Sequence, residues 1–307
     1  MKFGRLLAHA RWILIAVLAL FVLAIFGLSQ FLTDYFWYDA LGCTSLMITP
    51  ILWTWGTGLS AAVIAALFLW LNVFLAKESI SQALFRYQEH LPEGLVWRHI
   101  RRLIYLGTSV IGVLFGLSYA QSWRQIALGI HGVTFGHEDA IFGQDVGFYV
   151  FTLPMLDLLQ TYVFGLLVLA TAISAGLYLA SKAFEIEGFK VRLNTRPRIH
   201  LSLLLVGIVA TKAFDYYLAA FDLLFSTRGA VFGAAYTDVH ASLPALRIMM
   251  VLSALVALAL LVNLFRPAIR FAMIGIAVLL VASVVVGSVY PNLIQEYIVR
   301  PNELERE

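Results

Sequence analysis

Seven apolar stretches, each about 20 residues or longer, run through the 307-residue chain. They are Trp12–Leu32, Pro50–Leu75, Leu103–Ala120, Met155–Ser181, Ile199–Leu224, Leu246–Phe265 and Ala268–Val289. A helix rises about 1.5 Å per residue, so each is near or above the length that crosses ~30 Å of hydrocarbon. The third is the shortest. With 61% hydrophobic and only 13% charged residues, against about 25% charged in ordinary soluble domains, the chain cannot cover a water-facing exterior. The pattern predicts an all-α, polytopic integral membrane protein with seven transmembrane helices. Water is absent from the bilayer core, so each spanning segment must satisfy its own backbone hydrogen bonds, as a helix does.

Orientation follows from lysine and arginine. Most of the 21 basic residues fall in alternate loops: Lys2–Arg11, Lys77–Arg102, Lys182–Arg198 and Arg266–Arg270. The positive-inside bias then puts the N-terminus in the cytoplasm and, after seven crossings, the C-terminus outside the cell. That orientation is opposite to the rhodopsin-like receptors, and the last stretch has no lysine for a retinal Schiff base. The first apolar run is too long for a signal-peptide core and lacks a small-residue cleavage site. The net charge is only +3, and the basic residues are dispersed, so nucleic acid is not an expected partner. The single cysteine, Cys43, excludes an internal disulfide.

The expected organisation is a transmembrane domain over residues 1–290, with long outer loops at 121–154 and 225–245, and a C-terminal segment, 291–307. The inner loop Lys77–Arg102 has the mixed composition of a short interfacial amphipathic helix, broken near Pro92-Glu93-Gly94. The loop Lys182–Arg198 is basic and is expected to meet anionic lipid headgroups. The outer loops are rich in glycine and aromatic residues, a composition that favours packing on helix ends over disorder.

Few residues stand out for chemistry. Lys212 and Asp215 form the one opposite-charge pair well inside an apolar stretch, and at i and i+3 they share a helix face. Charges at that depth point to an ion path, in which Asn72 is the further candidate, or to a snorkelling structural pair. Lys212 lies ~20 Å and Asp215 ~24 Å from Ile199, past the midplane, which favours the structural pair. His137, Glu138, Asp139 and Asp145 gather in one outer loop, with Asp238 and His240 in the next. They form a candidate docking or cation site, although no spacing matches a known zinc or calcium pattern. Asp157, just after Pro154, reads as an acid complementing a helix start. No nucleotide-binding, hydrolase or dinucleotide motif occurs, so neither catalytic residues, a metal nor a cofactor is expected.

Two loop segments carry a resemblance. FGHEDAIFGQDVGFYVFTLP (Phe135–Pro154) and RGAVFGAAYTDV (Arg228–Val239), continuing to Leu243-Pro244, resemble signatures of the bacterial uncharacterised protein family UPF0182. WYDALG at Trp37–Gly42, Tyr290-Pro291 and VRPNE at Val299–Glu303 fit as well, so the resemblance spans nearly the whole chain. Ala140 departs from it, where proline is expected. The resemblance implies a seven-helix membrane module followed by a large extracytoplasmic domain, which would begin near Glu303. It implies architecture, with no settled activity. The expectation is a non-enzymatic protein of a bacterial inner membrane, an anchor and docking platform for an extracytoplasmic domain or partner. The alternative is a transporter or channel for an ion or small solute.

Overall fold

The structure is a computed structural model that describes residues 2–87, 93–181, 184–187, 190–229, 232–265 and 269–302. Its elements are α1 (Lys2–Ala40), α2 (Thr44–Tyr87), α3 (Glu93–Leu117), α4 (Trp123–Ile130), α5 (Leu153–Ala180), β1 (Phe184–Glu187), β2 (Lys190–Leu193), α6 (Thr195–Asp222), α7 (Leu243–Phe265), α8 (Ile269–Val284) and α9 (Tyr290–Ile294). Among the described residues, seven helical segments are long and apolar enough to cross a membrane. The all-helical expectation therefore holds, apart from one short ribbon. Within the loop expected to be merely basic, β1 and β2 pair antiparallel, with Glu185 opposite Arg192.

Several boundaries differ from the sequence reading. The third span is not short: its apolar segment extends from Arg98 to Ile130 and takes in α4. The loop expected over 121–154 is irregular only between α4 and Gly147. Among the described residues, the region Lys77–Arg102 is taken up by α2, which runs on to Tyr87, and by α3, which starts at Glu93. Residues 88–92 and the apolar face expected there lie outside the described residues, as do Ala230, Val231 and the tail 303–307. Helical structure continues past position 290, through α9 to Asn302.

Prolines explain the interruptions. Among the described residues, four wide π turns occur, at Phe148–Thr152, Asp238–Ser242, Val285–Val289 and Gln295–Val299. Each ends two residues before a proline: Pro154, Pro244, Pro291 or Pro301. A proline ring strikes the carbonyl four residues back, which here belongs to Val150, His240, Gly287 or Tyr297, the middle residue of each turn. Widening the helix at that carbonyl relieves the clash without ending the helix.

The chain divides into two compact units, residues 1–56 and 57–307. In the first, α1 ends in a Schellman turn. Gly42, at φ +66°, sends its N–H to Asp39 O at 2.9 Å, and Cys43 sends its own to Tyr38 O at 2.9 Å. In the second, α6 is central. Leu204 joins Ala65 and Leu69 of α2 and Leu166 and Ala170 of α5 in one buried cluster. Val209 packs with Val256, Ala257 and Leu260 of α7. Near the far end of α6, Leu218 and Phe221 close over Tyr149 and Leu153. The helices α2 and α3 cross closely: a Cβ on Gly116 would lie 2.2 Å from Ala62 Cα, so only glycine fits. Large apolar side chains cover much of the exterior of this unit, among them Leu103, Leu114 and Leu280.

Candidate functional site

Residues 131–147 form a loop braced by two carboxylates. The side chain of Asp139 accepts from the backbone N–H of Ile141 (2.8 Å), Phe142 (2.6 Å) and Gln144 (2.8 Å), and from the Tyr149 hydroxyl (2.7 Å). Asp145 accepts from the N–H of Phe135 (3.0 Å), Gly136 (2.7 Å) and Gly147 (2.7 Å). A backbone bridge between Glu138 and Asp145 closes the turn. Gly147 must be glycine, because a Cβ there would lie 2.2 Å from Val133 O. Aspartate suits this role because its short side chain returns to nearby backbone donors.

The same bonds set the electrostatics. Burial pushes the Asp139 carboxyl up, but the N–H of Phe142, the Tyr149 hydroxyl and the N–H groups of Gln144 and Ile141 outweigh it, leaving the pKa below the usual value. For Asp145 the N–H of Phe135 is the largest influence; burial opposes it, and the N–H groups of Gly147, Gly136 and His137 complete a net lowering. Both acids spend their oxygen lone pairs on backbone N–H groups of the loop and, for Asp139, on the Tyr149 hydroxyl as well.

The second loop is organised separately. Asp238 is buried, accepts from Ala235 N–H at 3.2 Å and faces Arg228 at 3.6 Å. His240 stacks on Tyr236 with ring centres 4.1 Å apart, its Nδ1 3.0 Å from Tyr236 O. The six candidate residues thus fall in two local networks, and among the described residues no group of three or more His, Cys, Asp or Glu could hold a metal. The loops still touch through apolar groups. Ile141 and Phe142 of the first line a crevice with Ala234, Asp238 and Val239 of the second. The Thr237 hydroxyl donates to Gln295 Oε1, tying the second loop to the last helical segment.

Beside the braced loop lies a cavity of about 470 Å³, lined by Gln125, Tyr149, Leu153, Pro154, Asp157, Leu158, Thr161, Asp222 and Phe225. Tyr149 is its shared wall with the loop. Pro154 does sit in the first turn of α5, but Asp157 lies one turn deeper and faces the cavity rather than capping the helix. Lys212 and Asp215 pair as their spacing requires, and the Lys212 ammonium also lies over the rings of Tyr216 (5.2 Å) and Phe164 (5.7 Å). Asp215 and Asp222 are seven residues apart on α6 and so share a face.

Asn72 is not with this group. Its Oδ1 lies 2.8 Å from His200 Nε2, its Nδ2 donates to Phe68 O at 2.7 Å, and His200 Nδ1 lies 2.8 Å from the Tyr178 hydroxyl. Because the Asn72 amide nitrogen is used on Phe68, its oxygen requires a proton on His200 Nε2, and Tyr178 then donates to Nδ1. His200 is 12 residues before Lys212, ~18 Å along α6. Neither Tyr178 nor His200 carried any signal in the sequence, since their partners lie on other helices.

These features define a class: a multi-helix protein whose seven apolar segments can cross a membrane, with two folded loops gathered at one end. Residues 11–307 match the family described as "Uncharacterised protein family (UPF0182)", and the chain belongs to that family. It is 32% identical over 308 residues to a UPF0182 protein of Nocardioides sp., covering 96% of this chain and 30% of that protein. A UPF0182 protein of Moorella thermoacetica is 31% identical over 301 residues, covering 96% and 33%. One from Pelobacter propionicus is 32% identical over 311 residues, covering 97% and 34%. The chain spans about a third of the length of these curated bacterial relatives. No solved structure matches.

Proposed function

We propose that the helical unit is an anchor in a bacterial inner membrane, with its N-terminus cytoplasmic, and that its loop-bearing end is a docking platform for an extracytoplasmic domain or partner. The reading includes no catalytic step. One observation carries it: loop 131–147, loop 226–242 and the helical segment 290–302 meet at one end, through the Ile141–Phe142 crevice and the Thr237–Gln295 bond. Two acids hold the first loop in one shape, and a preformed surface binds at lower entropic cost than a mobile one. The additional length of the relatives supplies a natural occupant.

A photoreactive residue at Phe232, which is 71% exposed, tests this. In a chimera continuing into the remaining two-thirds of the Moorella thermoacetica protein, it should crosslink to the appended portion. Labelling confined to lipid would sink the platform. A reporter fused after Glu307 and active only in the cytoplasm would overturn the orientation.

A second reading is supported by the acid-lined cavity: a path or site for a cation or small solute, passing Asp157, Asp222 and the Lys212–Asp215 pair. Reconstituted protein should then move a solute, and Lys212→Ala or Asp157→Asn should change the rate. Asn72 has no part in this version of the path. Equal flux in both variants would remove it.

A further inference from the structure

At the opposite end of α3 from the braced loop, a pocket of about 370 Å³ is lined by Trp70, Arg101, Arg102, Tyr105, Leu106 and Ser109. We infer that it binds the headgroup of an anionic phospholipid, with the phosphate between Arg101 and Arg102 and an acyl chain along α3. The inference rests on the membrane-spanning reading above and names a lipid class and a site for it.

Arg101 and Arg102 are exposed, and among the described residues neither faces a carboxylate within ion-pair distance. By contrast Arg196, Arg228 and Arg300 each pair with an acid. Adjacent guanidiniums offer ten N–H donors in two planar forks, matched to phosphate oxygens. The wall next to them is hydrogen-bonded and amphipathic. Trp70 Nε1 donates to Ser109 Oγ at 3.0 Å, Ser109 Oγ donates to Tyr105 O at 2.6 Å, and the Trp70 and Tyr105 rings meet edge to face at 6.1 Å. Indole and phenol rings at this position suit the glycerol level of a bilayer.

Polarity then changes along the helix in the order a lipid requires. Beyond the arginines, Leu106, Val110 and Leu114 repeat every fourth residue, so they form one strip, and all three are exposed. That strip spans ~12 Å, enough for a good part of an acyl chain. Free phosphate would use only the arginines and would leave the strip bare. The apolar continuation is the reason to assign a lipid.

The protein purified from membranes, with phosphatidylglycerol or phosphatidylcholine added in detergent, can be examined by native mass spectrometry. Phosphatidylglycerol should be retained preferentially. Arg101→Gln with Arg102→Gln should weaken its binding about 25-fold, at roughly fivefold per arginine. Arg124→Gln, near the other end, should leave it unchanged. Equal retention of the two lipids, or no loss in the double variant, overturns the site. Displacement of the lipid by millimolar inorganic phosphate overturns the assignment to lipid. Failure of the unmodified protein to partition into membranes overturns the spanning reading, and the site with it.

Discussion

The Tyr149 hydroxyl donates to Asp139 Oδ2 at 2.7 Å, and this bond joins two features that the sequence presents separately. Asp139 organises the loop 131–147, while Tyr149 is buried in the π turn that leads into α5 and walls the acid-lined cavity. A change in the loop is therefore felt at the cavity, whichever of the two serves the function.

Asp139→Asn replaces one acceptor oxygen with a donor and leaves at least one of four donors unmet. We expect a loss of about 1–2 kcal/mol in stability, within the range of lost helix caps. Tyr149→Phe should cost less alone, and the two losses should not add, because both remove the same bond. Thermal melts of the three variants in detergent check this; additive losses would show that the bond does not couple loop and helix.

The acid brace has a defined pH dependence. Both carboxyls have folded pKa values below those of the unfolded chain. Their stabilisation is therefore complete above the unfolded value of about 4 and is lost as pH falls through the lower, folded values. Hydrogen exchange over residues 135–147 should be flat from pH 7 to about 4, after correction for intrinsic rates, and protection should fall below that. Loss between pH 7 and 5 would point to a histidine instead.

Gly147→Ala tests the close approach to Val133 O. Its Cβ would sit 2.2 Å from that oxygen and 2.8 Å from Asp145 Oδ1. The loop must open, costing about 1–3 kcal/mol, as overpacking does. Protease cleavage within 131–147, absent in the parent protein, should appear. An uncut variant would show that the loop absorbs the methyl group.

The buried Asn72–His200–Tyr178 chain should behave as one unit. His200→Leu strands the Asn72 oxygen and the Tyr178 hydroxyl, each at about 1–3 kcal/mol. Asn72→Leu combined with His200→Leu should cost less than the sum of the single changes, because the double variant removes both buried partners. Melting temperatures decide it, and a sum equal to the double would dissolve the network.

Some of this was readable from residue order alone. Seven helices follow from apolar length, because only a helix satisfies its own backbone over such a run. The Lys212–Asp215 pair follows from its i, i+3 spacing, since both residues lie on one helix. The four π turns were not, for although each precedes Pro154, Pro244, Pro291 or Pro301, Pro50 lies inside α2 with no such turn.

What crosses between helices was not readable. Asn72 meets His200 from 128 residues away, and Asp157 shares a cavity with Asp222 rather than capping its own helix. Trp70 and Ser109 close a pocket from two helices. Segments this apolar on every side carry little facial pattern, so nothing in their periodicity says which neighbour each face will meet. Close packing of small residues such as Gly116 against Ala62 settles those neighbours, and with them which polar groups lie side by side.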